Sequence, residues 1–185
     1  MNRPPTFALV ILIAGFVVWL TPFVLAGWSR VVPAKRDWRS MWGLLLELVA
    51  YGLLCFNGWQ ATYVAAWRVG LSVVFLVCAA LLSWTSTRSL GRFLRFEAAV
   101  EPDHQLIRSG PYRIVRHPIY ASMLCVFLGV GSMTAAPVWF AVTLLVFLTG
   151  TEIRVRVEDR LLAERFGEEF QRYRQRTPAY IPFLR

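Results

Sequence analysis

Pro118–Thr151 reads PIYASMLCVFLGVGSMTAAPVWFAVTLLVFLTGT, an unbroken run of apolar and small residues without one charge. A helix crosses a ~30 Å hydrocarbon core with about 20 residues, so this run is too long for a single span. Gly129, Gly131, Ser132 and Pro137 punctuate its middle, which predicts two helices joined by a tight turn. A helical hairpin brings its two open ends together. The polar segments on either side, His104–Tyr120 and Glu152–Tyr173, therefore belong at one place in space.

Working outward, three more runs have the length of spans. Phe7–Gly27 carries no charge. Its Val24-Leu-Ala26 resembles a signal-peptide cleavage site, but the apolar stretch outruns a typical signal core and reads as a retained helix, kinked at Pro22. The second run, residues 41–58, contains one acid, Glu47. The third, residues 64–85, is broken only by Arg68 near its start. The fourth and fifth spans have about 15 apolar residues each, or ~23 Å of helix. Either their neighbours shelter them or their ends continue into the aqueous phase. Residues 152–162 contain no helix breaker, which predicts one long helix from Val138 to Phe166, ending at Gly167. Beyond it, Leu162, Phe166, Phe170 and Tyr173 form an amphipathic stripe that packs on protein or lies on the bilayer. The expected fold is all-α: a polytopic membrane protein of about five transmembrane helices, the last two a hairpin, with a cytosolic amphipathic C-terminal helix. Residues 1–185 read as one membrane domain, with three spans in 1–85 and a motif-bearing half in 86–185.

Charge placement agrees. The chain is 57% hydrophobic with a net charge of +9. In a soluble protein that charge points to nucleic acid, but here it lies between apolar runs and fits a membrane surface. The first loop carries Arg30, Lys35, Arg36 and Arg39 against Asp37. The second carries no charge, the third carries six arginines between Arg88 and Arg116, and the turn at 132–137 is again neutral. Basic loops alternate with neutral ones. This predicts a multi-pass protein with its N-terminus outside and its C-terminus and motif segments cytosolic, although Arg3 stands on the other side. The expected partners are the bilayer and a lipophilic small molecule. Cys55, Cys78 and Cys125 each sit in an apolar run and read as small buried hydrophobes; no metal-ligand spacing is present.

Arg116-His117-Pro118 opens the fourth helix. Pro118 suits a first helical position, and the open N–H groups beside it attract an anion such as a carboxylate. His117 and Tyr120 can add hydrogen bonds. On the plainer reading, Arg113 and Arg116 are snorkelling anchors and His117 only caps the helix. Glu158 and Asp159 likewise have two readings. They form a solvated face paired with Arg154, Arg156 and Arg160, or a carboxylate that binds ribose hydroxyls or an amino group. A zwitterionic ligand with an amino-acid head and a ribose suits such a box of both signs.

LIRSGPYRIVRHPIYAS (Leu106–Ser122), followed by EDRLLAERFGEEFQRYRQRTPAYIPF (Glu158–Phe183), resembles the isoprenylcysteine carboxyl methyltransferase family. That family lies within a wider group of integral-membrane methyltransferases that includes the phospholipid N-methyltransferases. His104, Gly110, Tyr112, Arg116, His117, Pro118 and Tyr120 match its first motif. Glu158, Phe166, Gly167, Tyr173 and Pro182 match its second. Asp159 replaces a glutamate, Phe170 a tyrosine, and Ser122 a frequent glycine; the first change shortens the second acid's reach. The resemblance covers Leu90–Phe183 and implies S-adenosylmethionine as methyl donor. It further implies that Arg116, His117 and Tyr120 face the methionine part, that Glu158 holds ribose or the amino group with Asp159 beside it, and that His104 and Tyr112 help close the pocket. Gly129-Val-Gly131 resembles a Gly-x-Gly of the phospholipid branch, or serves close helix packing.

The expected reaction is methyl transfer to a lipophilic acceptor. A carboxylate, as in a prenylcysteine-like molecule, is ionised at neutral pH and needs no base, but it needs a cation, for which Arg154 and Arg156 are the candidates. An amine acceptor, as in a phospholipid, needs a base such as Asp159, Glu158 or His117. A non-catalytic accessory protein on the same fold is the alternative of another class.

Overall fold

The computed structural model describes residues 5–26, 35–57, 64–94, 99–100 and 105–182. His104 lies outside the described residues. The main elements are α1 (Thr6–Ala26), β1 (Lys35–Arg36), α2 (Arg39–Asn57), α3 (Ala66–Leu90), β2 (Ala99–Val100), α4 (Pro118–Thr134), α5 (Pro137–Phe166) and α6 (Glu168–Arg176), with short 3-10 turns at Gly91–Phe93 and Gly110–Arg113. By length and composition α1, α2, α3 and α5 can each cross a membrane, and α4 is a shorter apolar helix. Apart from the two-residue strands β1 and β2, the regular structure among the described residues is helical, and the protein is a multi-pass membrane protein.

The long uncharged run folds as expected, with its turn at Ala135–Ala136 and Pro137 in the first turn of α5. Gly129 and Gly131 lie inside α4 rather than in the turn. A Cβ on Gly129 would press against Leu76 and the carbonyl of Ser72 in α3, so this glycine lets two backbones approach. The hairpin is braced from α3. Arg68 donates from Nε to the carbonyl of Ser132 and from Nη2 to that of Ala135, both at 2.6 Å. The arginine that interrupts the third apolar run thus satisfies carbonyls that the end of α4 would leave open.

Both expected solutions to the short-span problem occur. α4 is sheltered between α3 and α5, with Val126, Phe127, Gly129 and Gly131 buried. α5 instead continues past its apolar part as one helix of 30 residues, about 45 Å long. It ends at Gly167, whose φ of 52° lies in the left-handed region. α1, for its part, runs through Pro22 without ending.

Lipid contributes no hydrophobic drive between helices, so packing and hydrogen bonds must hold them together. α5 packs chiefly on α2, α4 on α3, and α3 on α1. Gly43 and Gly150 let α2 and α5 close: a Cβ on either would come within 2.5 Å of the other's carbonyl oxygen. Between α4 and α5 aromatic rings fill the space, Phe127 stacking on Phe147 at 4.6 Å with Tyr51 edge-on to both. The outer faces carry exposed Phe7, Ile13, Val17, Trp42, Leu48, Val74, Leu81 and Leu145, as lipid-facing helices require. At the other end, β1 and β2 pair antiparallel, Lys35 opposite Val100. This pairing joins the first and third loops at the same edge as the start of α4 and the charged end of α5.

Candidate functional site

At that edge the two polar segments meet. His117 precedes Pro118 as the N-cap of α4 but makes no capping bond to the helix. Its ring turns inward, 5% exposed, between two acids of α5. Nδ1 lies 3.2 Å from Glu158 Oε2, and Nε2 lies 2.9 Å from Asp159 Oδ1. Successive helical residues point about 100° apart, which is how adjacent acids reach opposite sides of one ring. Burial by itself would lower the imidazole pKa. The hydrogen bonds and charges of Asp159 and Glu158 outweigh it and raise it to about 9. At neutral pH His117 is therefore an imidazolium that donates from both nitrogens.

The network extends in both directions. Tyr120, one turn into α4 and buried, donates to Glu158 Oε1. Its ring stacks on His117 at 5.6 Å. On the other side Arg116 donates from Nη2 to Asp159 Oδ2 at 2.9 Å, and from Nη1 to the carbonyl of Thr177. Arg174 of α6 approaches the same Asp159 oxygen at 3.7 Å. The shorter acid at 159 thus reaches both a histidine and an arginine. Arg113, by contrast, is exposed, so of the two motif arginines only Arg116 turns inward.

The C-terminal segment locks this arrangement. The amides of Arg116 and His117 donate to the carbonyls of Pro178 and Ala179 at 2.9 and 2.8 Å. Tyr173 donates its hydroxyl to the carbonyl of Tyr112 at 2.6 Å, and Arg108 pairs with Glu169 at 2.6 Å. α6 turns its buried Phe170 and Tyr173 toward the protein, so this part of the stripe packs on the fold itself. Burial pushes the Tyr173 phenol up to about 12 and that of Tyr112 well above its ordinary value; both stay neutral donors.

A groove of about 1000 Å³ runs alongside, between the charged end of α5, α6 and residues 177–179. Arg116, Arg156, Arg160 and Arg174 line it, with Glu152 and Asp159. Nε of Arg116 is buried and has no hydrogen-bond partner among the described residues. Tyr112 stands apart from the ion network, lining a cavity of about 60 Å³ with Arg116, Leu162 and Tyr173.

The two candidate catalytic arginines separate. Arg156 is exposed and pairs along the helix with Glu152 at 2.8 Å; it borders the groove. Arg154 lies on the inner face of α5, 7% exposed, and pairs with Glu47 of α2 at 2.8 Å. Its guanidinium sits over the Tyr120 ring, 4.7 Å from the centroid. Arg154 thus stands behind the network rather than on the groove. Glu47 is the residue that the sequence reading passed over. A lone acid in an apolar span is costly unless paired, and that cost was the available signal.

The phospholipid methyltransferase family model matches residues 67–169. The cobalt-zinc-cadmium resistance protein CzcN of Cupriavidus metallidurans is 31% identical over 169 residues, covering 89% of this chain and 74% of that protein. Protein-S-isoprenylcysteine O-methyltransferase B of Arabidopsis thaliana is 28% identical over 161 residues, covering 84% and 78% respectively. Methanethiol S-methyltransferase 1 of Bradyrhizobium diazoefficiens is 28% identical over 186 residues, covering 92% of this chain but 60% of that protein's length. The matched region contains α3, α4 and α5, and with them His117, Tyr120, Glu158 and Asp159. The chain belongs to the phospholipid methyltransferase family, and by that membership it is a membrane methyltransferase.

Proposed function

We propose that this protein transfers a methyl group from S-adenosylmethionine to a lipophilic acceptor bearing a carboxylate, at the cytosolic edge of the membrane. One observation carries the reading: His117 is clamped between Glu158 and Asp159 beside a groove lined by cations and carboxylates. The groove's volume is at the upper end of ordinary ligand sites, and its two signs suit a zwitterionic nucleoside. The buried, unpartnered Nε–H of Arg116 is a donor awaiting an anion.

When bound, S-adenosylmethionine supplies an electrophilic methyl group on a sulfonium. The protein's own residues hold and align. Arg116 meets the anionic end of the donor. Glu158 and Asp159 accept from hydroxyl or ammonium groups, and His117, able only to donate, fixes both acids in orientation. Tyr120 positions Glu158, while Tyr112 and Tyr173 close the wall behind Arg116. The apolar helices exclude water, which favours a reaction in which charge is neutralised. Arg156 and Arg160 on the groove draw in an anionic acceptor.

The carboxylate preference rests on the state of the acids. Glu47, Glu158 and Asp159 each already face a cation, so the network holds no idle base. An ammonium acceptor needs one; a carboxylate does not. The relative named as an isoprenylcysteine O-methyltransferase is consistent with such an acceptor.

The test uses purified full-length protein in lipid nanodiscs. S-adenosylmethionine binding is measured by calorimetry for wild type, His117→Gln and Asp159→Asn. Radiolabelled methyl transfer to a prenylcysteine is then compared with transfer to a phospholipid amine. Binding that the two substitutions weaken, with transfer to the carboxylate, supports the proposal. Transfer to the amine alone assigns the phospholipid reaction instead. Absence of binding by wild type leaves an accessory role.

A further inference from the structure

Among the described residues, two carboxylates bear on Arg154. Glu47 lies across the α2–α5 interface at 2.8 Å. Glu158 lies four residues on along the same helix, the spacing at which an arginine and a glutamate pair readily. The structure has Arg154 on Glu47 and leaves Glu158 to Tyr120 and His117. Several details fix that choice. Glu47 is 1% exposed and also accepts from the Thr151 hydroxyl at 2.9 Å. Gly43, one turn before Glu47, packs against Gly150 and the Arg154 stem, so α2 lies close enough to hold the guanidinium. The guanidinium then rests on the Tyr120 ring, whose hydroxyl bonds Glu158.

We propose that Glu47 is a positioning residue of the methyl-transfer site: by retaining Arg154 across the helix interface it reserves Glu158 for His117 and Tyr120. The inference rests on the proposed function for its catalytic meaning, but not for its geometry. Without the Glu47 charge, Arg154 turns to Glu158, one turn further along α5. Glu158 then leaves the histidine, and the site loses one of its two aligned acids. Residue 47 never touches the groove; it acts through Arg154.

Two variants break the same ion pair with opposite consequences. In Glu47→Gln the arginine remains and captures Glu158. In Arg154→Met the cation that would capture it is gone. The direct readout is the titration of His117 in the full-length protein in nanodiscs, followed by ¹⁵N-histidine NMR, with His104→Gln used to assign the signal. Among the described residues, the groups facing His117 are Glu158, Asp159, Arg116 and Tyr120. The wild-type midpoint is expected near 9. Glu47→Gln should lower it by about one unit, because the imidazolium loses a carboxylate. Arg154→Met, and the double variant Glu47→Gln with Arg154→Met, should keep it at the wild-type position or slightly above. S-adenosylmethionine affinity should follow the same order, falling about tenfold in Glu47→Gln and recovering in the double variant. An unmoved His117 in Glu47→Gln, or an equal shift in all three variants, overturns the inference. A protein that binds no S-adenosylmethionine yet shows the expected titrations overturns the proposed function and leaves the positioning role intact. If Glu47→Gln fails to fold, the double variant decides: a lowered His117 midpoint there overturns the inference, and a wild-type midpoint supports it.

Discussion

His117 and Asp159 meet at 2.9 Å, Nε2 to Oδ1, each less than a tenth exposed. With Glu158 on the other ring nitrogen, the histidine cannot act as a base near neutral pH. Its charge is structural: it holds together a helix start and a helix end that lie 42 residues apart in sequence.

That charge makes stability depend on pH. The folded-state pKa, about 9, lies above the ordinary 6.5. The contribution is therefore fully present below about pH 6.5 and is lost as pH rises through about 9. It amounts to about 3 kcal/mol at most. Thermal unfolding in detergent between pH 6 and 10 should show a falling midpoint, and His117→Gln should flatten that part of the profile.

Removing Asp159 should cost more than removing Glu158. Asp159→Ala leaves Arg116 and His117 facing each other without their shared anion. Breaking a buried pair this way costs about 3–5 kcal/mol. Glu158 is about a third exposed, so Glu158→Gln should lose less stability and chiefly weaken donor binding. Chemical unfolding measures the first effect and calorimetry the second.

Gly150 of α5 and Gly52 of α2 make a controlled pair. Gly150→Ala drives a methyl group against the carbonyl of Gly43 and the side chain of Leu46, and overpacking of this kind costs about 1–3 kcal/mol. Gly52→Ala meets nothing within 4 Å and should gain about 0.5–1 kcal/mol from helix propensity. Because Gly150 is one turn before Arg154, only the first change should also disturb the Tyr120–Glu158 contact, seen as a shifted His117 resonance.

Arg68→Ala removes two donors from the carbonyls that end α4. Leaving such groups unsatisfied costs about 1–3 kcal/mol each. The turn it braces lies at the far end of the hairpin from His117. A lower unfolding midpoint with donor affinity unchanged within about threefold is the expected result.

The sequence announced the helices better than their neighbours. Runs of apolar residues and the breaker at Gly167 locate α1 to α5 within a few residues, and the length of Pro118–Thr151 alone brings His117 and Glu158 together. Which helix lies on which was not legible, since one lipid-soluble face resembles another. The pairing of α2 with α5 is marked only by small residues, Gly43 and Gly150, and by the single acid Glu47. Arg154 and Arg156 look equivalent in sequence, yet two positions on a helix turn one inward to Glu47 and the other out to the groove. The backbone bonds from Arg116 and His117 to Pro178 and Ala179 carry no side-chain signature at all.

Those tail bonds also set an order of events in biosynthesis. Arg116 accompanies α4 to the membrane while its carboxylate, 43 residues later, and the carbonyl of Thr177, 61 residues later, have yet to be translated. The nascent chain must keep that doorway hydrated until α5 and the residues behind it arrive, so the charged chamber closes only after residues 177–179 are made.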